Sequence, residues 1–99
     1  MEGINNSTCS GEGYRYEDGF ELEPGTIWCA AERIDVGEDM VLLQGEHLQY
    51  QRWIQCSWEL VIVSRIEHEG DPNWAIFADM FRVYIENGLL QRVCEDEGL

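Results

Sequence analysis

Between Leu48 and Ile66 apolar and polar residues alternate over nineteen positions, the longest regular pattern in the chain. Eight of the ten even positions are apolar, from Leu48 and Tyr50 to Trp58, Leu60, Ile62 and Ile66. The odd positions are mostly Gln, Ser, Glu and Arg, with Trp53, Val61 and Val63 as the apolar exceptions. A period of two is the mark of a strand with one buried face. At about 3.3 Å per residue the stretch would reach roughly 60 Å. A hundred-residue domain has a radius of gyration of only about 13 Å. The ribbon must therefore coil or divide, and Arg52-Trp53 is the expected break, because there a charge falls on the apolar face and an aromatic on the polar one. Leu60, Ile62, Trp58 and Cys56 are expected in the core with Leu48 and Tyr50.

The remaining elements follow from shorter patterns. In Tyr14–Glu23, Asp18-Gly19 suits a two-residue type I′ turn. The flanking alternation puts Tyr14, Tyr16, Phe20 and Leu22 on one face and Arg15, Glu17, Glu21 and Glu23 on the other. Thr26–Asp35 reads as a central strand, with a helix as the alternative, and Met40–Gln44 as a short strand. Asp71 as N-cap and Pro72 at the first helical position predict a helix over about 71–87. Its stripe is Trp74, Phe77, Met80, Phe81 and Tyr84, and Asn87-Gly88 forms the C-cap. Leu89–Cys94 reads as a last strand returning to the sheet. Residues 1–12 are expected to be a flexible terminus and 95–99 an acidic tail, with no internal repeat between them. The fold class is α+β: one domain over 13–99, with a strongly coiled antiparallel sheet of five or six strands and one helix packed on it.

Charge changes this picture more than composition does. Hydrophobic residues make up 44% of the chain, enough for a core, but twenty acids face six arginines and no lysine, a net charge of −14. That imbalance exceeds the magnitude of about 2–8 suited to a small domain. It opposes direct binding to nucleic acid or to anionic membranes and steers the molecule toward a basic protein. No apolar run approaches the ~18 residues of a membrane span. The first residues lack the basic and apolar regions of a secretory signal, so the cytoplasm is the expected compartment. Cys9, Cys29, Cys56 and Cys94 show no metal-ligand spacing and are expected as thiols, Cys29 and Cys56 in the core.

No nucleotide-binding, nucleophile-elbow or metalloprotease motif occurs, so no cofactor, metal or enzymatic activity is expected. His68, flanked by Glu67 and Glu69, reads as a loop histidine among acids. The acids Glu17, Asp18, Glu21, Glu23, Glu38, Asp39, Glu67 and Glu69 gather at turns and outward strand positions. Charge runs are commonly no more than solvated loops. They also fit an array of carboxylates presented to the cationic groove of a nucleic-acid-binding protein. Arg52 and Trp53, of residue types that dominate interface hot spots, are the expected anchor beside them. Trp58 and Trp74 are assigned to core packing.

The expected function is thus a small acidic binding or inhibitory protein that docks on a basic partner, a nucleic-acid-binding enzyme or a toxin. Proteins of that physical type include phage inhibitors of bacterial defence nucleases (anti-CRISPR or anti-restriction proteins) and toxin-immunity proteins. The parallel is one of size and charge. The alternative is a small-molecule-binding or oligomeric accessory domain. It would have a pocket between sheet and helix lined by Tyr14, Tyr16, Trp28 or Trp58, or a homodimer closed through a sheet edge.

Overall fold

A computed structural model describes residues 9–93. In chain order the strands are β1 (Cys9–Gly11), β2 (Tyr14–Arg15), β3 (Glu21–Leu22), β4 (Ile27–Ala30) and β5 (Ile34–Gly37). They continue with β6 (Met40–Leu42), β7 (His47–Gln55), β8 (Glu59–Arg65), β9 (Trp74–Phe77) and β10 (Leu90–Val93). Helix α1 (Ala78–Glu86) joins β9 to β10, and a 3-10 turn spans Ile66–His68. The main sheet is antiparallel, in the order β10-β4-β7-β8-β9, with β1 pairing the second half of β7. The two hairpins β2–β3 and β5–β6 form separate two-stranded sheets. This is the α+β architecture expected, a curled antiparallel sheet with one helix.

The long ribbon does divide, but at Cys56-Ser57-Trp58, where a three-residue connection links Gln55 to its partner Glu59. What lies beside Arg52-Trp53 is a β-bulge. Tyr50 pairs with Val63 and Arg52 with Ile62, leaving Gln51 unopposed. An extra residue in one strand reverses the facing of everything beyond it. Leu48 and Tyr50 are buried as expected, yet past the bulge the inward residues are Trp53, Val61 and Val63. Leu60 and Ile62 turn to the other face, while Cys56 and Trp58 are exposed in the turn. The even-numbered core face therefore holds only as far as Tyr50.

Residues 14–30 and 34–50 are two copies of one unit: a hairpin, a tight turn and a strand. The chain is thus internally repeated, against expectation. Only Leu22/Leu42 and Gly25/Gly45 are identical between the copies, too little for the repeat to show in the sequence. The copies meet along β4 and β7 around the facing pair Trp28–Leu48. Their junction bonds exchange under a twenty-residue shift. The Gly25 N–H donates to Tyr50 O at 2.8 Å and the Gly45 N–H to Ala30 O at 2.9 Å. The Tyr50 N–H donates to Thr26 O, and the Ala30 N–H to Glu46 O, each at 2.9 Å. Both turns use a glycine in the left-handed region, Gly25 at φ 90° and Gly45 at φ 89°, which a residue with a Cβ enters only with strain. The paired units place Leu22, Trp28 and Ala30 from one copy and Leu42, Leu48 and Tyr50 from the other in a single core.

The helix is shorter than expected. Asp71 and Pro72 lie in a loop, and Trp74–Phe77 forms an edge strand against Val63–Leu60 instead of the first helical turns. Pairing with an existing strand satisfies the backbone groups on one side of the segment and buries Ile76, a gain that local capping signals do not register. Helix α1 then crosses the core face, burying Ala78, Phe81 and Tyr84. The C-cap is as expected. Gly88 sits at φ 78°, and the Leu89 N–H donates back to Tyr84 O at 2.8 Å. The Asp18-Gly19 hairpin closes with a three-residue loop, the Tyr16 N–H donating to Phe20 O at 2.8 Å, instead of the two-residue turn anticipated. Of the terminus expected to be flexible, Cys9–Gly11 is strand β1, and residues 1–8 lie outside the described residues. So do Cys94 and the acidic tail 95–99. No helix of the described residues is long and apolar enough to cross a membrane.

Candidate interaction surface

The acids proposed from the sequence occupy three separate places. Glu17, Asp18, Glu21 and Glu23 lie along the β2–β3 hairpin, Glu38 and Asp39 at the β5–β6 tip, and Glu67 and Glu69 in the segment after β8. Several have internal partners. Asp18 takes two hydrogen bonds from the Arg82 guanidinium, at 2.7 and 3.1 Å, which with the Phe20 N–H hold its carboxyl down to a pKa of about 2. Glu21 pairs with Arg15 at 3.0 Å. Glu67 is bonded to both the backbone and the ring of His47; burial alone would raise its pKa, but these bonds bring it below the ordinary value. Glu23, Glu38, Asp39 and Glu69 are exposed.

Trp53 is half-buried, unlike the exposed anchor expected. Its indole N–H donates to Gly13 O at 2.8 Å, and its ring meets Tyr14 edge-to-face at 5.6 Å between centroids. Gly11 allows this approach, since a Cβ there would lie 2.8 Å from the indole nitrogen. Arg52 is exposed on the opposite face. As consecutive residues of one strand the two side chains point to opposite faces, so they do not form one anchor.

The most exposed aromatic among the described residues is Trp58, with 63% of its surface accessible. It stacks edge-to-face on Phe77 at 5.7 Å between centroids, and Met80 lies beside them. Together with Gln55, Ser57, Glu59 and Asp79 these residues line a cleft of about 510 Å³. Three elements meet there: the β7–β8 turn carries Trp58, edge strand β9 carries Phe77, and the first turn of α1 carries Asp79 and Met80. Phe77 faces out because Ile76, its neighbour in the pleat, is buried. Glu59 and Asp79 also border a second recess with Tyr14, Arg15, Tyr16, Glu17, Asp18 and Arg82. In that recess the Tyr14 hydroxyl donates to Glu59. Burial, and then the Glu59 bond and charge, raise the Tyr14 pKa, so it stays a neutral donor. An apolar floor thus runs directly into an acidic recess.

The sequence contained one pointer to Trp58. A break in the ribbon was required by length, and Cys56-Ser57 offers small residues suited to a turn, which would have put the next side chain in solvent. Phe77 and Met80 had no such pointer, since both sit on the apolar stripe of the expected helix. Trp28 and Tyr16, candidates for a ligand pocket, are buried in the packing between sheet and helix, Trp28 edge-on to Phe81 at 6.0 Å. Trp74 is half-buried beneath the Arg65 guanidinium, 4.4 Å from its centroid. His68 bonds Glu46 at 2.9 Å, and among the described residues no group of His, Cys, Asp and Glu is arranged to hold a metal.

No protein-family model, curated protein or solved structure matches this chain.

Proposed function

We propose that this protein is a small acidic binding protein that docks on a basic protein partner and occludes its functional surface. The supporting observation is the meeting of exposed Trp58, Phe77 and Met80 with Glu59 and Asp79 on a chain of net charge −14. An exposed aromatic beside carboxylates resembles the central anchor of an interface, where one aromatic and one desolvated charge carry most of the binding energy. The overall field would speed encounter with a cationic partner, and the cleft would hold it. A plug of this kind fits an inhibitor of a nuclease or toxin better than an extended phosphate-like array does, because Asp18, Glu21 and Glu67 already have internal partners.

Affinity capture from a bacterial lysate tests the reading when wild type and Trp58→Ala are run in parallel. The expected result is a basic protein retained at low salt, released at high salt, and held at least about tenfold more weakly by Trp58→Ala, the loss typical of a hot-spot aromatic. Equal retention by Trp58→Ala, or retention of no basic protein at all, would refute it.

A further inference from the structure

The cleft adjoins a second feature, the edge of the sheet. Strand β9 pairs with β8 along one side only. Among the described residues its outer side makes no backbone hydrogen bond. Helix α1 leaves β9 directly and packs Ala78, Phe81 and Tyr84 into the core on its way to β10. On the face away from the core, Phe77 sits opposite Leu60 and Ala75 opposite Ile62, extending the apolar floor along the last two strands. Unpaired strand edges beside apolar pockets are the setting in which an extended peptide adds as a further strand, its main chain bonding the edge and alternate side chains filling pockets.

We propose that the occupant is an extended, basic segment of the partner protein that adds to the free edge of β9. One apolar side chain lies on the Trp58–Phe77–Met80 floor, and a cationic side chain reaches Glu59 and Asp79. Charge selects this occupant over a second copy of the same chain. Pairing two copies through β9 would bring Glu59 and Asp79 of both into one interface between molecules that each carry −14. A segment bearing arginine or lysine would relieve that repulsion. This inference rests on the docking reading and adds the backbone mode to it.

The test uses the full chain, isotope-labelled for NMR, and a capped hexapeptide alternating valine and arginine. Two controls accompany it: the same peptide N-methylated at alternate amides, and one with glutamate in place of arginine. The expected result is saturable binding of the parent peptide, with shifts at Trp58, Phe77 and Met80 and slowed exchange of those amides of Trp74–Phe77 that face away from β8. N-methylation should weaken binding about tenfold or more, the loss of two or three main-chain hydrogen bonds, and the glutamate peptide should not bind. Equal binding by the N-methylated peptide, with the same shifts, would overturn strand addition and leave the docking reading standing. Absence of binding by the parent peptide, or equal binding by the glutamate peptide, would overturn the strand proposal. Binding with shifts confined elsewhere would count against the cleft in both readings. Slowed exchange, without any peptide, of the β9 amides that face away from β8 would also overturn the proposal. If concentration-dependent it would put a second copy on the edge; if concentration-independent, the chain's own terminal residues.

Discussion

The two hairpin–turn–strand units share a backbone and almost no side chains, and they are held in place differently. In the first, residues 14–30, the hairpin is tied to the helix. The Tyr16 hydroxyl donates to Ala78 O at 2.7 Å, Arg82 grips Asp18, and the same guanidinium lies 4.5 Å from the Phe20 centroid. In the second, residues 34–50, the tip residues Glu38 and Asp39 are exposed, and attachment rests on Ile34 and Leu42 in the core. The turns differ in the same way. Thr26 Oγ1 donates to Glu23 O at 2.6 Å in one, whereas the Glu46 carboxylate accepts from the Leu43 N–H at 3.0 Å in the other. A leucine and a glycine suffice for the shared geometry, and the remaining chemistry is free to differ.

The sharpest test of that equivalence is the glycine pair. Gly25→Ala and Gly45→Ala should each destabilise by about 1–2 kcal/mol, the strain of a Cβ in the left-handed region. At both positions an added Cβ meets nothing within 4 Å, so backbone strain is the only direct term. Urea denaturation should give two losses equal within experimental error. A large difference would break the equivalence of the two turns.

Tyr16→Phe probes the tie that the second unit lacks. It should cost about 1 kcal/mol by leaving the Ala78 carbonyl without its buried donor. Val36, at the equivalent position, has no hydroxyl, and Val36→Ala should leave the helix amides unaffected in hydrogen exchange while Tyr16→Phe speeds those at its start. Unchanged exchange and stability in Tyr16→Phe would mean that the hairpin is held by Arg82 and packing alone.

The smallest expected effect comes from Asp18→Asn, because the pair lies at the surface. The folded pKa of about 2 is below the unfolded value near 3.9. The ionised pair therefore adds stability fully above that unfolded value, and the contribution fades as pH falls through about 2. The gap between wild type and Asp18→Asn should close over the same range and narrow in high salt. Titration of Asp18 by NMR at an ordinary aspartate value would show that Arg82 does not engage it.

Much of the fold was legible because it is written in local chemistry. Asp18-Gly19 marked a hairpin, β-branched Val61, Ile62 and Val63 marked a strand, and Asn87-Gly88 marked the end of the helix. The missed features all depend on residues far apart in the chain. Trp74–Phe77 has helical spacing but becomes a strand because Val63–Leu60 offers it a free edge. Glu46-His47 and Glu67-His68 exchange partners, His47 with Glu67 across 20 residues and His68 with Glu46 across 22, a pairing invisible until β7 and β8 fold back on each other.

The candidate surface was missed because side-chain facing, the place of the turn and one element type were all set by distant pairing. Trp53 turns inward because a single unopposed residue, Gln51, reverses inside and outside along β7. Trp58 meets solvent because the ribbon turns back at Cys56-Ser57-Trp58, and Phe77 because Trp74–Phe77 is an edge strand instead of a helix. Alternation, turn chemistry and net charge are properties of neighbouring residues and of sums, so the amino-acid sequence alone determined an acidic α+β domain with a divided ribbon at its centre. Which tryptophan meets solvent, which strand is left as an edge, and which acids keep their charge unpaired depend on register and on partners distant in the chain. Those were decided only by the tertiary structure.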